Sequence, residues 1–444
     1  MEFAPHTPAD VEAMLAALGK DDLDELFAHI PETLRVTGTV DLPDGRTEDE
    51  VTQHLTGLAA RNQAGGVCFA GGGAYDHYVP AVVPALISRG ELLTSYTPYQ
   101  PEVSQGMLQA LFEYQTAIAE LTGLPVSNAS LYDGGSAVAE AVAMACAATR
   151  RSRTLLSQAL DAPSRTIVRT YAHPLRRPVE ERAYGADGRT PVADVPDDVA
   201  AVVLSQPNAL GVIEDVRAHA AAAHAAGAKL IVKLEATSVG LLPTPGSQGA
   251  DLVVGEGLPL GQGLAYGGPT FGFLGCTSDQ VRRVPGRMVG ETVDAHGTRG
   301  YVMTLRAREQ DIRRERATSN ICTNQTLCAV AGLVYLTWLG RGGLVELART
   351  CLARARHAAE RLTAVPGVSL AVEGPFYKEF ALRLDVDDPG TVQRRLLEAG
   401  YLVGPVVPDG AAAGAVLVAL TERRTAADVE GLAVALETTM KELV

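Results

Sequence analysis

The sequence predicts an α/β protein in three parts: an N-terminal helical arm (1–65), a large α/β domain (66–320) and a C-terminal small α+β domain (321–444). Three observations carry this. Apolar runs of strand length recur through the middle of the chain, with a clear helical segment between two of them. Those runs are apolar on both faces, as strands of a parallel or mixed sheet covered on each side must be. Beyond about residue 320 the alternation gives way to two helical patterns and then shorter mixed elements. A chain of 444 residues suits two or three domains of about 150 residues each.

The arm reads as short helices. Thr7-Pro8-Ala9-Asp10 offers an N-cap, a proline at the first helical position and an early acid. Val11, Met14, Leu15 and Leu18 form one stripe, stopped by Gly19. Leu23, Leu26, Phe27 and Ile30 repeat it, and Thr47 to Glu50 is a capping box ahead of Val51, Leu55 and Leu58. Glycines at 65–66 and 71–73 follow. A long helix is expected from Ser104 to Leu121, and an Ala-rich, buried one from Ser136. Strands are expected at Thr166–Thr170, Ala201–Leu204, Lys229–Leu234, Asp251–Val254 and Thr270–Leu274, with a helix from Asp215 to Ala226. The last part predicts helices at Gln325–Leu339 and Leu344–Thr363, then strands at Val368–Val372 and Phe380–Val386. A helix at Thr391–Ala399, a strand at Val416–Leu420 and a closing helix capped by Thr425 and Asp428 complete it.

Composition excludes some classes. Acidic residues number 52 against 38 basic, a net charge of −14. That balance argues against nucleic acid as a partner and against a polybasic membrane surface. Five of the basic residues are lysines (Lys20, Lys229, Lys233, Lys378, Lys441), so 38 − 5 = 33 are arginines. The first ten residues lack a basic and apolar leader, and no apolar run approaches the roughly 18 residues of a membrane span. The longest candidate, Cys328 to Leu339, reads as a buried helix. The six cysteines form no CxxC pair, and His219 and His224 are five apart on a helix, the wrong spacing for two zinc ligands. The reading is a reducing cytoplasm and no metal.

Several segments can carry chemistry. Tyr132-Asp133-Gly134-Gly135-Ser136 is a glycine turn opening a helix, which reads equally as a phosphate cradle (Gly134, Gly135, Ser136) or as a plain turn. The loop Tyr96-Thr97-Pro98-Tyr99-Gln100-Pro101-Glu102 is polar and stiffened by two prolines, and reads as a binding loop. Arg299 to Arg316 carries arginine forks that suit phosphate and carboxylate groups, but interleaves them with Glu309, Asp311 and Glu315, which favours an ion-paired surface helix. The Thr318-Ser319-Asn320 run after it reads as a second binding loop. Tyr75-Asp76-His77-Tyr78 suits acid–base work or turn packing equally.

A large α/β domain between a helical arm and an α+β domain suits fold type I, the aspartate-aminotransferase-like pyridoxal-phosphate transferases. Such enzymes hold the cofactor as a Schiff base on a lysine after a sheet strand. The expected place follows Val254, near Pro259, and no lysine stands there. Lys229 and Lys233 lie in an apolar run, where Lys233 reads as a snorkelling or ion-paired strand residue.

Four runs together resemble the glycine cleavage P-protein family, in its two-chain bacterial form. They are Ala74 to Pro80, Tyr96 to Glu102, Val289 to Asp294 and Ala317 to Gln325, and the likeness extends from Pro5 to the C-terminus. The resemblance implies subunit 1 of a glycine dehydrogenase (decarboxylating, aminomethyl-transferring), an oxidoreductase of glycine catabolism. In that family pyridoxal phosphate takes up electrons as CO2 leaves glycine. The aminomethyl group then passes to the lipoyl disulfide of H-protein. The resemblance places the cofactor covalently on subunit 2 and none covalently on this chain. The partners it implies are subunit 2, in an αβ heterodimer pairing to an α2β2 heterotetramer, lipoylated H-protein, and the T- and L-proteins. It carries no catalytic residue over to this chain. It gives Tyr96, Tyr99, Gln100, Thr318, Ser319 and Asn320 a supporting role at the interface, and leaves Gly134, Gly135 and Ser136 as a vestigial cradle. Ala209 and Leu210 stand where the family usually has aromatics, and the segment Lys233 to Ser238 stands where an Asp-Pro pair is common. Two other readings are a self-sufficient pyridoxal enzyme using Lys233 or Lys229, and a non-catalytic scaffold.

Overall fold

The computed structural model describes residues 5–36, 38, 40–62 and 65–443. Its contacts divide the chain into two compact units, Met1–Ala64 and Gly65–Val444. In the first, α1 (Pro8–Leu18) and α2 (Glu48–Ala59) both start at complete capping boxes, Thr7 with Asp10 and Thr47 with Glu50. The Leu23–Ile30 stripe forms only a single 3-10 turn, Asp24–Phe27.

The second unit opens with β1 (Val67–Cys68), α3 (Val82–Ile87) and α4 (Gly90–Leu93). Next come α5 (Gln105–Thr122), β2 (Val126–Ser127), α6 (Gly134–Thr149), β3 (Arg153–Ser157), α7 (Ala162–Ala172) and β4 (Val179–Arg182). They lead to β5 (Val199–Gln206), α8 (Val216–Ala225), β6 (Lys229–Leu234), β7 (Leu252–Glu256) and β8 (Gly272–Cys276). A hairpin of β9 (Val289–Val293) and β10 (Arg299–Met303) and a short α9 (Gln310–Arg313) lead into α10 (Thr326–Thr363). The chain finishes with β11 (Val368–Leu370), β12 (Glu379–Leu384), α11 (Pro389–Glu398), β13 (Tyr401–Leu402), β14 (Val416–Ala419) and α12 (Ala426–Leu443).

Seven strands form one sheet in the order β2-β8-β7-β6-β5-β3-β4. From β4 to β7 the pairs are parallel, and β8 and β2 close one edge antiparallel. Every residue of β5 is buried, as expected of a central strand covered on both faces. The small side chains of α6 let it lie close on this sheet, where Ala137, Ala141 and Ala145 are fully buried. A second, antiparallel sheet has the order β11-β12-β14. β1 pairs in parallel with β13, so the chain just after residue 66 runs beside C-terminal elements and not in the seven-stranded sheet.

Three expectations change. Thr166–Thr170 is helical: Asp161 caps α7 through the Ser164 amide, and Pro163 fits its first turn. The strand beside β5 is β3, which precedes that segment in the chain. Arg299–Arg316 is not a surface helix: Arg299 belongs to the β9–β10 hairpin, and Arg306 and Arg308 are partly buried. Finally, α10 is long and apolar enough by length and composition to cross a membrane. It bends at Gly340 (φ 59°, ψ 179°), and Cys328, Ala329, Ala331 and Tyr335 of its first half pack in the core with Leu260 and Phe271.

Candidate functional site

A cavity of about 420 Å³ opens where the parallel strands end and α6 begins. Asp161 follows β3, Ser205, Pro207 and Asn208 end or follow β5, Lys233 to Glu235 end β6, and Glu256, Leu258 and Pro259 end or follow β7. Open α/β sheets bind ligands at the carboxyl ends of their strands, where strand order reverses. Here the reversal lies between β3 and β5, and Asp161 and Ser205, from the two strands' ends, both line the cavity.

The charges in the cavity are largely satisfied from within. Lys233 Nζ donates to Asp161 Oδ2 at 2.6 Å and to Ser164 Oγ at 2.9 Å. Burial alone would raise the Asp161 carboxyl, but the Lys233 ammonium and the Ser164 hydrogen bonds outweigh it and hold it below its ordinary value. The ion-paired reading of Lys233 thus describes its geometry. Lys229 sits at the other end of β6, paired with Asp251 at 2.8 Å, and does not line the cavity.

Behind the cavity lies a buried chain of polar groups that are far apart in the sequence. Lys378 is 2% exposed and its Nζ lies 2.8 Å from both Glu235 Oε1 and His77 Nε2. His77 Nδ1 lies 2.7 Å from Glu422 Oε2. With the ammonium donating to Nε2, the imidazole is neutral and its Nδ1–H donates to Glu422. Burial, then the Lys378 charge, holds His77 below its ordinary value. Burial opposes ionisation of Glu422, yet the hydrogen bonds from His77 and from the Tyr78 amide outweigh it and bring the carboxyl down to about 2. Beside them Tyr75 donates to Glu379 Oε2 at 2.9 Å, and burial pushes the Glu379 carboxyl up to about 7. The segment around His77 is therefore an anchored part of the interior: Asp76 also binds Arg424 at 3.0 Å. His77, Cys351 and Glu422 lie close enough to share a metal ion. However, both imidazole nitrogens are already engaged, and burial pushes the Cys351 thiol up to about 12. The cluster reads as packing of a proton-sharing network.

The predicted cradle has a specific occupant. The Ser136 amide donates to Asp133 Oδ1 at 2.7 Å and its hydroxyl to Asp133 Oδ2 at 3.0 Å. The Gly134 amide donates to Glu256 Oε2 at 3.0 Å. Glu256 Oε1 accepts from the Leu258 amide at 3.2 Å and, closely, from the Thr270 hydroxyl. A Cβ on Gly134 would fall 2.9 Å from the Glu256 nitrogen, so glycine is required for α6 to meet the end of β7. These residues do not fit pyridoxal phosphate: two carboxylates already occupy the amides of the predicted cradle, and Pro259 stands where the Schiff-base lysine was expected.

The six residues expected at an interface fall outside this cavity, in two neighbouring groups. Tyr96 is 69% exposed and Gln100 is exposed. Tyr99 is half-exposed; its hydroxyl accepts from Arg287 Nη2 at 2.9 Å, and Arg306 lies 5.2 Å over its ring. Thr318, Ser319 and Asn320 line a different cavity of about 480 Å³, against α6 and α7. At its wall Glu140 is 3% exposed, and burial pushes its carboxyl up to about 7 against an opposing Ser319 hydrogen bond. Arg287 ties the two loops together: it also donates to the Cys322 carbonyl at 2.7 Å and closely to buried Glu309. Sequence reading missed Arg287, Glu140, Asp161, Glu256 and Lys378. A charged residue at the end of an apolar strand was a usable signal only for Glu256.

Comparison with known proteins agrees with this geometry. The family model for the glycine cleavage system P-protein matches residues 1–436. The chain is 45% identical over 443 residues to the probable glycine dehydrogenase (decarboxylating) subunit 1 of Desulforamulus reducens, covering 98% of each chain. It is 44% identical to a crystal structure of glycine decarboxylase (P-protein) of the glycine cleavage system in inhibitor-bound form. That match has a TM-score of 0.92 and covers 99% of this chain and 100% of the other. A glutamate decarboxylase of Lactobacillus brevis shares the fold alone, at 13% identity and a TM-score of 0.68 over 92% of this chain and 96% of the other. With a fold type I architecture, a strand-end cavity at its centre and near-full-length kinship, the chain belongs to the glycine cleavage system P-protein family.

Proposed function

We propose that this chain is the cofactor-free first subunit of a two-subunit glycine-decarboxylating enzyme. The second subunit holds pyridoxal phosphate on its own lysine, where the cofactor supplies the electron sink for loss of CO2 from glycine. This chain completes the assembly, as αβ pairs doubled to α2β2 in the cytoplasm. The enzyme hands its aminomethyl group to the lipoyl disulfide of H-protein, and T- and L-proteins continue the cycle. The observation that carries the reading is the strand-end cavity of a pyridoxal fold with Pro259 in place of the lysine and carboxylates in place of the phosphate. Tyr96, Tyr99, Gln100, Thr318, Ser319 and Asn320 then support the partner's site from exposed or half-exposed loops, fixed from below by Arg287.

The test is reconstitution. The purified chain alone should show no absorbance of a lysine-bound cofactor and no exchange of labelled bicarbonate into glycine, and both should appear on adding the second subunit. Exchange by this chain alone would refute the proposal. Lys233 lines the cavity, so borohydride reduction with peptide mapping belongs in the same experiment. A pyridoxyl group on Lys233 would favour a self-sufficient enzyme.

A further inference from the structure

The start of α6 is an anion site by construction. Free amides point out of its first turn, and the helix dipole adds partial positive charge. In this chain two of its own carboxylates take that place. Asp133 is the ordinary N-cap, one residue before the helix, and satisfies Ser136. Glu256 is different: it arrives from the end of β7, 122 residues along the chain, and takes the Gly134 amide at 3.0 Å. Its other oxygen is held by the Leu258 amide and the Thr270 hydroxyl, so both oxygens are fixed. No Lys, Arg or His among the described residues forms an ion pair with Asp133 or Glu256. Their charges are compensated only by amides, hydroxyls and the helix end. A phosphate dianion arriving there would meet two anions in a partly buried pocket and lose the amide that Glu256 holds.

We propose that Glu256 is a built-in anion that fills the phosphate position at the N-terminus of α6, so that this cavity excludes phosphomonoesters until Glu256 is neutralised. The cavity itself remains, about 420 Å³ in volume, with room beside the blocked position. Exclusion therefore works by charge and by occupancy of one amide, not by filling the pocket. Glu256 is in this sense a specificity-determining residue, and a single substitution should open the helix end to a phosphate. The proposal deepens the reading of this chain as the cofactor-free subunit. It is tested by binding to the isolated full-length chain, and so fails or holds independently of turnover by the reconstituted complex.

The experiment compares wild type with Glu256→Gln, titrated with pyridoxal phosphate, with pyridoxal, and with inorganic phosphate as competitor. Wild type should bind pyridoxal phosphate no better than pyridoxal. E256Q should bind pyridoxal phosphate at least tenfold more tightly than wild type does, leave pyridoxal binding unchanged, and release the ligand when phosphate is added. Three results overturn the proposal: equal pyridoxal phosphate affinity in both proteins, an equal gain for pyridoxal, or a gain that phosphate does not reverse. Circular dichroism and the melting temperature establish that E256Q is folded. If it is not, Asp133→Asn, which leaves Glu256 on the Gly134 amide, and wild type carry the test. Both should bind pyridoxal phosphate no better than pyridoxal, and a preference for pyridoxal phosphate in either overturns the proposal.

Discussion

Glu379 shows how one buried carboxyl ties stability to pH. It accepts from the Tyr75 hydroxyl at 2.9 Å and the Gly72 amide at 2.6 Å, and burial pushes it up to about 7 from an ordinary value of 4.5. The folded chain therefore holds this proton more tightly than the unfolded chain. The associated stability is fully present below about 4.5 and is lost as pH rises through about 7. Glu140, also pushed to about 7 by burial, acts in the same direction. Glu422, brought down to about 2, acts oppositely, but its loss comes only as pH falls below its ordinary value of 4.5. Glu379→Gln should therefore flatten the fall in stability between pH 5 and pH 8 by roughly 3 kcal/mol, from the 2.5-unit displacement at 1.36 kcal/mol per unit. Denaturant melts of both proteins across that range measure it. Parallel curves would show that Glu379 does not titrate there. None of this was legible in the sequence, because Gly72, Tyr75 and Glu379 meet over about 300 residues of chain.

At the level of elements, periodicity and caps were read where they act locally. Capping boxes at Thr7, Thr47 and Thr425 all form. The strands at the sheet centre, β5 to β7, are apolar on both faces and announce themselves. Thr166–Thr170 failed as a strand because its β-branched residues suggest extension, while the Asp161 cap and the burial of Arg165 and Val168 on one side impose a helix. β3 was overlooked because it opens on Arg153, just after Arg150 and Arg151, and its buried part, Thr154 to Ser157, holds two apolar residues, Leu155 and Leu156. The break in α10 was visible as Gly340, Gly342 and Gly343 between two apolar stripes. At Gly340 the backbone has φ 59° and ψ 179°, a region essentially reserved for glycine, and a Cβ there would touch nothing within 4 Å. Gly340→Ala should thus cost roughly 1–3 kcal/mol through backbone strain alone. Gly342→Ala, outside that conformation, serves as the control. Equal midpoints for the two variants in urea would place the strain elsewhere.

For the whole molecule, the sequence pointed to what is missing more clearly than to what replaced it. With five lysines in the chain, the empty position near Pro259 could be read directly. The carboxylates in the cradle could not, since Glu256 reaches Gly134 only once the sheet has brought the end of β7 to the start of α6. The same holds for the loops. Tyr99 and Thr318 to Asn320 were recognisable as binding segments, but Arg287, which hydrogen-bonds Tyr99 and the Cys322 carbonyl, stands before the motif at Val289 and had no local signature. The loops are exposed or half-exposed while their support is buried, so assembly and turnover should separate under mutation. Asn320→Ala removes an exposed amide without touching Arg287, Glu309 or Tyr99. In the reconstituted complex it should leave co-elution of the two subunits intact and lower the glycine–bicarbonate exchange rate at least tenfold. Arg287→Ala instead deprives buried Glu309 of its ion-pair partner, and should lower the melting temperature of this chain before any partner is added. Full exchange with N320A in an intact complex would make the loop structural packing, and the supporting role would then rest with the Tyr96–Gln100 loop alone.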